Sequence, residues 1–351
     1  VPETRVESAD RRIDWVGGVL AVLGLGALVC GLIEGQEYGW WAPTRPFVMG
    51  GHELGGLSPV PIVLALGVVL IGALLAVETA RGRAGRPVML DLSLLRIASF
   101  RRGAAVSALI SVGELGLLFV LPLFLQNVHG DSPLQISVAI LPLAVGAFLA
   151  GPFAARLAHR RGAARVVRIG MVLEVCAVLA IGLTVRAGTT GFVLAPWMLL
   201  YGVGLGLTAA QLTNVSLADV PRAHAGQASG TQSTARQIGA ALGIAIIGTV
   251  FATSLSHAML DRLKGTAVPP SRHAALAAEL RAGAGTLTGT LRREAAVDPR
   301  YAAAQTRAAA ESLAVATRHG ALATAGILGL GLLMTLRLGR SGARNPAESS
   351  A

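Results

Sequence analysis

Three ionisable side chains stand inside long apolar runs: Glu114 in SALISVGELGLLFVLPLF, Glu174 in RIGMVLEVCAVLAIG and Arg236 in ASGTQSTARQIGAALGIAIIG. An ion in hydrocarbon costs roughly 2.5 to 3.5 kcal/mol on insertion scales unless it finds a partner, an aqueous cavity or the interface. The two carboxyls are therefore candidate proton acceptors, or attractors for a lipophilic cation. Ser107, Ser111 and Glu114 fall on one helical face, a polar stripe that points to a cavity. Glu174 has Gly170 and Ala177 on its face, which marks close helix contact; its alternative role is an interhelical hydrogen bond. Arg236 lies about seven residues, or roughly 10 Å, into its run, so its stem could reach the interface. The alternative is an inward arginine, because Ser229, Gln232, Gly239 and Gly243 share its face. In YGVGLGLTAAQLTNVSLADVP, Gly202, Gly204 and Gly206 permit close helix packing, and the amides of Gln211 and Asn214 could contact a substrate.

These residues need membrane helices to position them. Of 351 residues, 53% are hydrophobic and 14% charged, against about 25% charged in soluble domains. A span needs about 20 apolar residues, and eight segments qualify: 13–34, 60–80, 103–126, 136–156, 166–186, 192–217, 229–252 and 320–338. The fold class is thus all-α and polytopic. If the spans alternate, eighteen arginines fall on one side, in the turns around Arg12, Arg83, Arg160, Arg222 and Arg340, whereas the short connections opposite hold only Arg45 and Arg186. The positive-inside rule makes the first side cytoplasmic and puts both ends of the chain there, in a cell membrane. The net charge of +11 is accordingly a topology signal, and no nucleic-acid partner is expected. Residues 253–319 read as a long outer loop, Ala-rich, with one or two short amphipathic helices on the surface or over the outer mouth. Cys30 and Cys176 lie in apolar runs and read as small buried residues. No metal-ligand spacing, nucleophile elbow, P-loop or dinucleotide fingerprint occurs, which argues against an enzyme or an ATP-driven pump.

Three stretches carry a resemblance. GPFAARLAHRRGAARVV (residues 151–167) is similar to the loop motif of the major facilitator superfamily, basic residues around a second glycine. VHGDSPLQISVAILPLAVG (128–146) and VPRAHAGQASGTQSTARQIGAALGIAIIGTV (220–250) resemble the second half of its fourteen-span drug:proton antiporters. RRIDWVGGVLAVLGLGALVCGLIEGQEYGW (11–40) resembles the first of two extra central helices of that branch.

The resemblance implies the last eight of fourteen helices, with six further spans as a missing N-terminal half. It divides the chain into a linker (1–12), two central helices (13–80), an Arg-rich loop (81–102), a six-helix bundle (103–338) and a cytoplasmic tail (339–351). It implies export of small amphipathic, often cationic compounds by alternating access, driven by the proton gradient without a cofactor. The alternatives are a dedicated exporter of an endogenous antibiotic, siderophore or lipid, or a non-transporting fragment. It also assigns Gly151, His159, Arg160, Arg161, Gly162 and Arg165 to a cytoplasmic gate loop. There His159 stands where the family has an acid, and a histidine supplies no anion at any pH.

Overall fold

The computed structural model describes residues 14–39, 41, 47–49, 52–54, 58–84, 88, 92–264, 266, 268–282 and 299–336. The expected linker 1–12 and tail 339–351 lie outside them, as do Trp40 and Arg45. The described chain is built from nine α-helices: α1 (Trp15–Tyr38), α2 (Val60–Arg83), α3 (Ala98–Phe124), α4 (Pro133–Arg161), α5 (Ala163–Thr184), α6 (Gly191–Leu217), α7 (Ala225–Leu263), α8 (Pro270–Ala282) and α9 (Pro299–Thr335). One short antiparallel ribbon, β1 (Phe47–Met49) with β2 (His52–Leu54), pairs Val48 with Glu53 and is the exception to an all-helical fold. Seven helices, α2 to α7 and α9, are long and apolar enough to cross a membrane, and α1 adds a shorter apolar stretch, Trp15–Gly31.

Lipid offers no partner for a backbone amide or a hydroxyl, which favours partners within the protein. Thr184, Ser216, Thr249, Ser312 and Thr317 return their hydroxyls to the carbonyl four residues back in their own helices. Helix ends carry explicit signals. Ser132 and Gln135 form a reciprocal capping box at the start of α4. Gly162, at φ +82°, ends α4 and begins α5 in a one-residue turn that favours glycine. After Pro122 the end of α3 widens into a π-helical turn, Leu125–His129, which Gly130 closes in the left-handed conformation. His129 Nε2 lies 2.8 Å from the Thr189 carbonyl and so ties this turn to the α5–α6 connection.

The core runs through α3, α5, α6, α7 and α9, with Phe124, Met171, Met198, Ile247 and Leu328 fully buried or nearly so. α4 packs on α6 and turns Phe148, 82% exposed, and Phe153 outward. α4 also meets α5 through Ala154 and Val166, and apolar side chains on its remaining face suit hydrocarbon. The α4–α6 seam depends on glycine. A Cβ at Gly202 would collide with the Leu143 carbonyl, and one at Gly206 would lie 2.5 Å from the Ala147 carbonyl. Gly204, on another face of α6, gives the same close approach to α5.

α1 and α2 pack against each other, and α1 also touches α7. Asp14 joins their ends: it accepts the Gly17 N–H at 2.8 Å as the cap of α1 and pairs with Arg81 at the end of α2. The Arg81 guanidinium, helped by the Gly17 N–H and Glu78, holds the Asp14 carboxyl below the usual carboxylate range.

The helices α7 and α9 extend well past the spans expected for them. Residues 253–263 continue α7, and 299–319 form the first turns of α9. Leu255, Met259, Leu263 and Leu313 are fully buried there, and α8 packs on α7 through the buried Leu276 and Leu280. Alanine-rich sequence favours helix, and leucines and methionines at helical spacing extend the core outward. The described residues of this region thus form helices continuous with the bundle or packed on it.

Two outcomes test this packing. Gly202→Val should separate α4 from α6 and destabilise the protein by about 1 to 3 kcal/mol, the cost of overpacking; thermal melting in detergent measures it, and an unchanged melting temperature refutes the seam. Asp14→Ala should cost about 1 kcal/mol as a lost cap, with Asp14→Asn in between because it keeps the cap and loses the charge. Since the folded carboxyl titrates below its unfolded value of about 4, this tie is complete above that pH. It is lost as pH falls through the lowered folded value, a loss that pH-dependent melting of wild type against Asp14→Asn detects.

Candidate functional site

The polar stripe of α3 meets the polar face of α7 across from α6. Ser107 and Glu114 from α3, Thr208 and Thr213 from α6, and Gln232 and Arg236 from α7 line one cleft, with Ile110, Leu205, Ala209 and Leu212 as its apolar wall. Backbones must approach closely to form it. Gly239 and Gly243 place α7 directly against the Ala108 and Val112 carbonyls of α3, where a Cβ would collide. That contact aligns Gln232 with Ser107, and the Gln232 amide donates to the Ser107 hydroxyl at 2.9 Å, both residues buried. The Gln232 carbonyl oxygen is also buried and has no hydrogen-bond partner among the described residues.

Glu114 is half-buried and Arg236 is exposed at the open side of the cleft. The guanidinium acts electrostatically on the carboxyl, yet the described residues contain no ion pair between them within 4.0 Å. A loose pair of this kind leaves both charges available to a third group. The free volume of the cleft is about 20 Å³, room for a water molecule and far below the 300 Å³ or more of a pocket for a drug-sized ligand. The arrangement can therefore hold water and a proton, and it presents one carboxyl and one guanidinium toward the open side.

The remaining expected residues lie elsewhere. Glu174 is fully buried in the α5–α6 seam and does not line the cleft. Gln211 is buried outside it, and Asn214 is exposed and donates to the Gln211 amide oxygen at 3.4 Å. Ser111 is buried beside the cleft lining. Gly151 stands within α4, two turns before the gate residues. His159, Arg160, Arg161, Gly162 and Arg165 are exposed at the α4–α5 turn, away from the cleft, and none pairs with an acid among the described residues. Cys30 and Cys176 are exposed, facing out of apolar helices, where the sequence suggested burial.

Thr208 and Thr213 are the cleft residues that sequence reasoning passed over. Their signal was faint: on α6 they alternate with the amides at 211 and 214, and helix rotation about the glycine seams decides which pair faces inward. Where α7 meets α9, Glu311 pairs with Arg262 and, at 3.1 Å, with Arg307, a tie between two helices distant in sequence.

Comparison with known proteins agrees with this architecture. Residues 8–244 match the Major Facilitator Superfamily. The chain is 33% identical over 247 residues to the "Probable actinorhodin transporter" of Streptomyces coelicolor, covering 68% of this chain and 39% of that protein. It is 28% identical over 292 residues to the tetracenomycin C resistance and export protein of Streptomyces glaucescens, covering 82% and 51%. It is 28% identical over 267 residues to the multidrug resistance protein Stp of Mycobacterium tuberculosis, covering 76% and 46%. The chain thus spans about half the length, or less, of these relatives. Members of the matched family are transporters and not enzymes, and the apolar helices are those of a multi-pass membrane protein. With most of its length matched, the chain belongs to the Major Facilitator Superfamily.

Proposed function

We propose that the chain supplies the last eight of fourteen membrane helices of a secondary exporter working by alternating access in the plasma membrane. In this reading α1 and α2 are the two central helices, α3 to α7 with α9 form the C-terminal bundle, and both ends lie in the cytoplasm. The single observation that carries the proposal is the cleft in which Glu114 and Arg236 face one another without closing into a contact pair. A carboxyl and a guanidinium poised in a cleft of a greasy bundle suit an amphipathic cation on the carboxylate, or a proton in its place, with the guanidinium pairing the carboxylate when either leaves. The cleft by itself is too small for such a cargo, so the cargo would be held between this bundle and a first half of six helices outside this chain. The lengths of the relatives support such a half. The proton gradient would supply the energy, with no cofactor. The exposed basic side chains at the α4–α5 turn would meet acids of that other half at the cytoplasmic gate.

The names of two relatives favour a second reading of the cargo: a dedicated export system for one endogenous antibiotic instead of many drugs. Expressing the complete protein in a drug-sensitive host separates the two. Resistance to several unrelated lipophilic cations supports the broad exporter, and sensitivity to all of them supports the dedicated one.

Transport by the complete protein in lipid vesicles tests the cleft itself. Glu114→Gln and Arg236→Leu should each slow ethidium transport by roughly tenfold or more, about 1.4 kcal/mol in the barrier, while the protein still inserts and melts normally. Wild-type rates in both variants would contradict the role given to the cleft.

A further inference from the structure

Glu174 is the buried acid that the cleft leaves unused. It is fully enclosed, and neither carboxyl oxygen has a hydrogen-bond partner among the described residues. The enclosure follows from two glycines. Gly204 of α6 lies against the Glu174 side chain, where a Cβ would come within 2.8 Å of its Cγ, and Gly170 of α5 brings its backbone against Thr208 and the Gly204 carbonyl. Two helix backbones this close leave no space for water around the carboxyl. A bare carboxylate in such a place is strongly disfavoured, and the neutral acid is the form that the seam can hold.

The groups facing Glu174 are few. Tyr201 and Thr208 stand one turn either side of Gly204 on α6, and the Tyr201 hydroxyl is buried and without a partner among the described residues. Glu114 of α3 acts electrostatically on both Glu174 and Tyr201, and Arg236 of α7 acts on Glu114. On α9, the contacts of Gly182 with Ala321 and of Gly331 with Met171 set a register that brings the fully buried Leu328 to this level. α4 carries no ionisable residue before Arg156. Thr208 belongs to both environments: it acts on Glu174 across the seam and lines the water-sized cleft beside Glu114. In this conformation its hydroxyl donates to the Gly204 carbonyl at 3.0 Å.

We propose that Glu174 is an enclosed proton store for the cleft, exchanging its proton with Glu114 through the Thr208 hydroxyl. This deepens the exporter reading and rests on it, because Glu114 is the acceptor only if the cleft is the working site. In the transfer the Glu174 O–H bond breaks as its proton passes to Thr208 Oγ1. The hydroxyl's own proton leaves for the Glu114 carboxylate, directly or through a water in the cleft. Glu174 becomes a carboxylate, Glu114 becomes the acid, and Thr208 is restored. Thr208 must first release the Gly204 carbonyl, and the charge left on Glu174 needs solvation, so the transfer is tied to parting of the α5–α6 seam. The store would thus empty and refill only as the bundle changes conformation.

Infrared spectroscopy of the full-length protein in lipid vesicles, moved from H2O into D2O near neutral pH, tests the proposal. The expected result is a protonated-carboxyl carbonyl band that disappears in Glu174→Gln and persists in Glu114→Gln. In Thr208→Val the band should remain but shift in D2O roughly tenfold more slowly, and Thr208→Ser, which keeps the hydroxyl, should restore the rate. A carboxyl band unchanged by Glu174→Gln, or Thr208→Val exchanging as fast as wild type, overturns the proposal. Failure of the underlying reading shows separately, as ethidium transport at the wild-type rate in Glu114→Gln.

Discussion

The absence of water inside a bilayer is the constraint on which the rest of this structure depends. Backbone groups must close on themselves, which leaves helices as the form this chain takes, and the helices must then find one another without a hydrophobic force between them. They do so here through backbone contact at glycine. Gly202 and Gly206 seat α6 on α4, Gly204 seats it on α5, and Gly239 and Gly243 seat α7 on α3. Helices held this closely fix the rotation of each about its axis. That rotation decides which polar side chains share a cleft.

Two acids illustrate how the same constraint yields different environments. Glu114 opens onto a cleft with an arginine, a glutamine and two threonines, so its charge has company. Glu174 is sealed by the glycines that bring α5 and α6 together, where a charge would have none. The two are electrostatically linked, and Thr208 stands between their surroundings. In the proposed exporter such a pair would tie proton movement to conformation, because the seam that hides one acid is also a surface along which helices can part.

Much of the architecture was legible in the chain alone. The apolar runs marked the helices, and the polar stripe through Ser107 and Glu114 and the small face around Arg236 marked the two walls that meet in the cleft. The stripes were readable because helical spacing is a local property. What escaped was everything that depends on helix rotation in three dimensions. Gln211 and Asn214 looked like ligand contacts on composition, yet α6 turns Thr208 and Thr213 into the cleft in their place. The expected outer loop differs for another reason: mixed polar and apolar sequence ends a span in a hydropathy argument without ending the helix there, so α7 runs on to Leu263 and α9 begins at Pro299, with the short α8 between them. The α4–α5 turn shows the limit on interactions. Its basic residues stand exposed where the two helices join, and the described residues hold no acid within ion-pair distance of them.

The most direct measurement is the water accessibility of the cleft in the membrane. In a background with Cys30 and Cys176 replaced by serine, Thr213→Cys and Phe148→Cys place one thiol on the cleft and one on the outward face of α4. A membrane-impermeant maleimide should label the thiol at position 213, with protection by a bound lipophilic cation, and leave that at position 148 untouched. Labelling at 148 with none at 213 would contradict the arrangement of polar cleft and lipid face on which the whole interpretation stands.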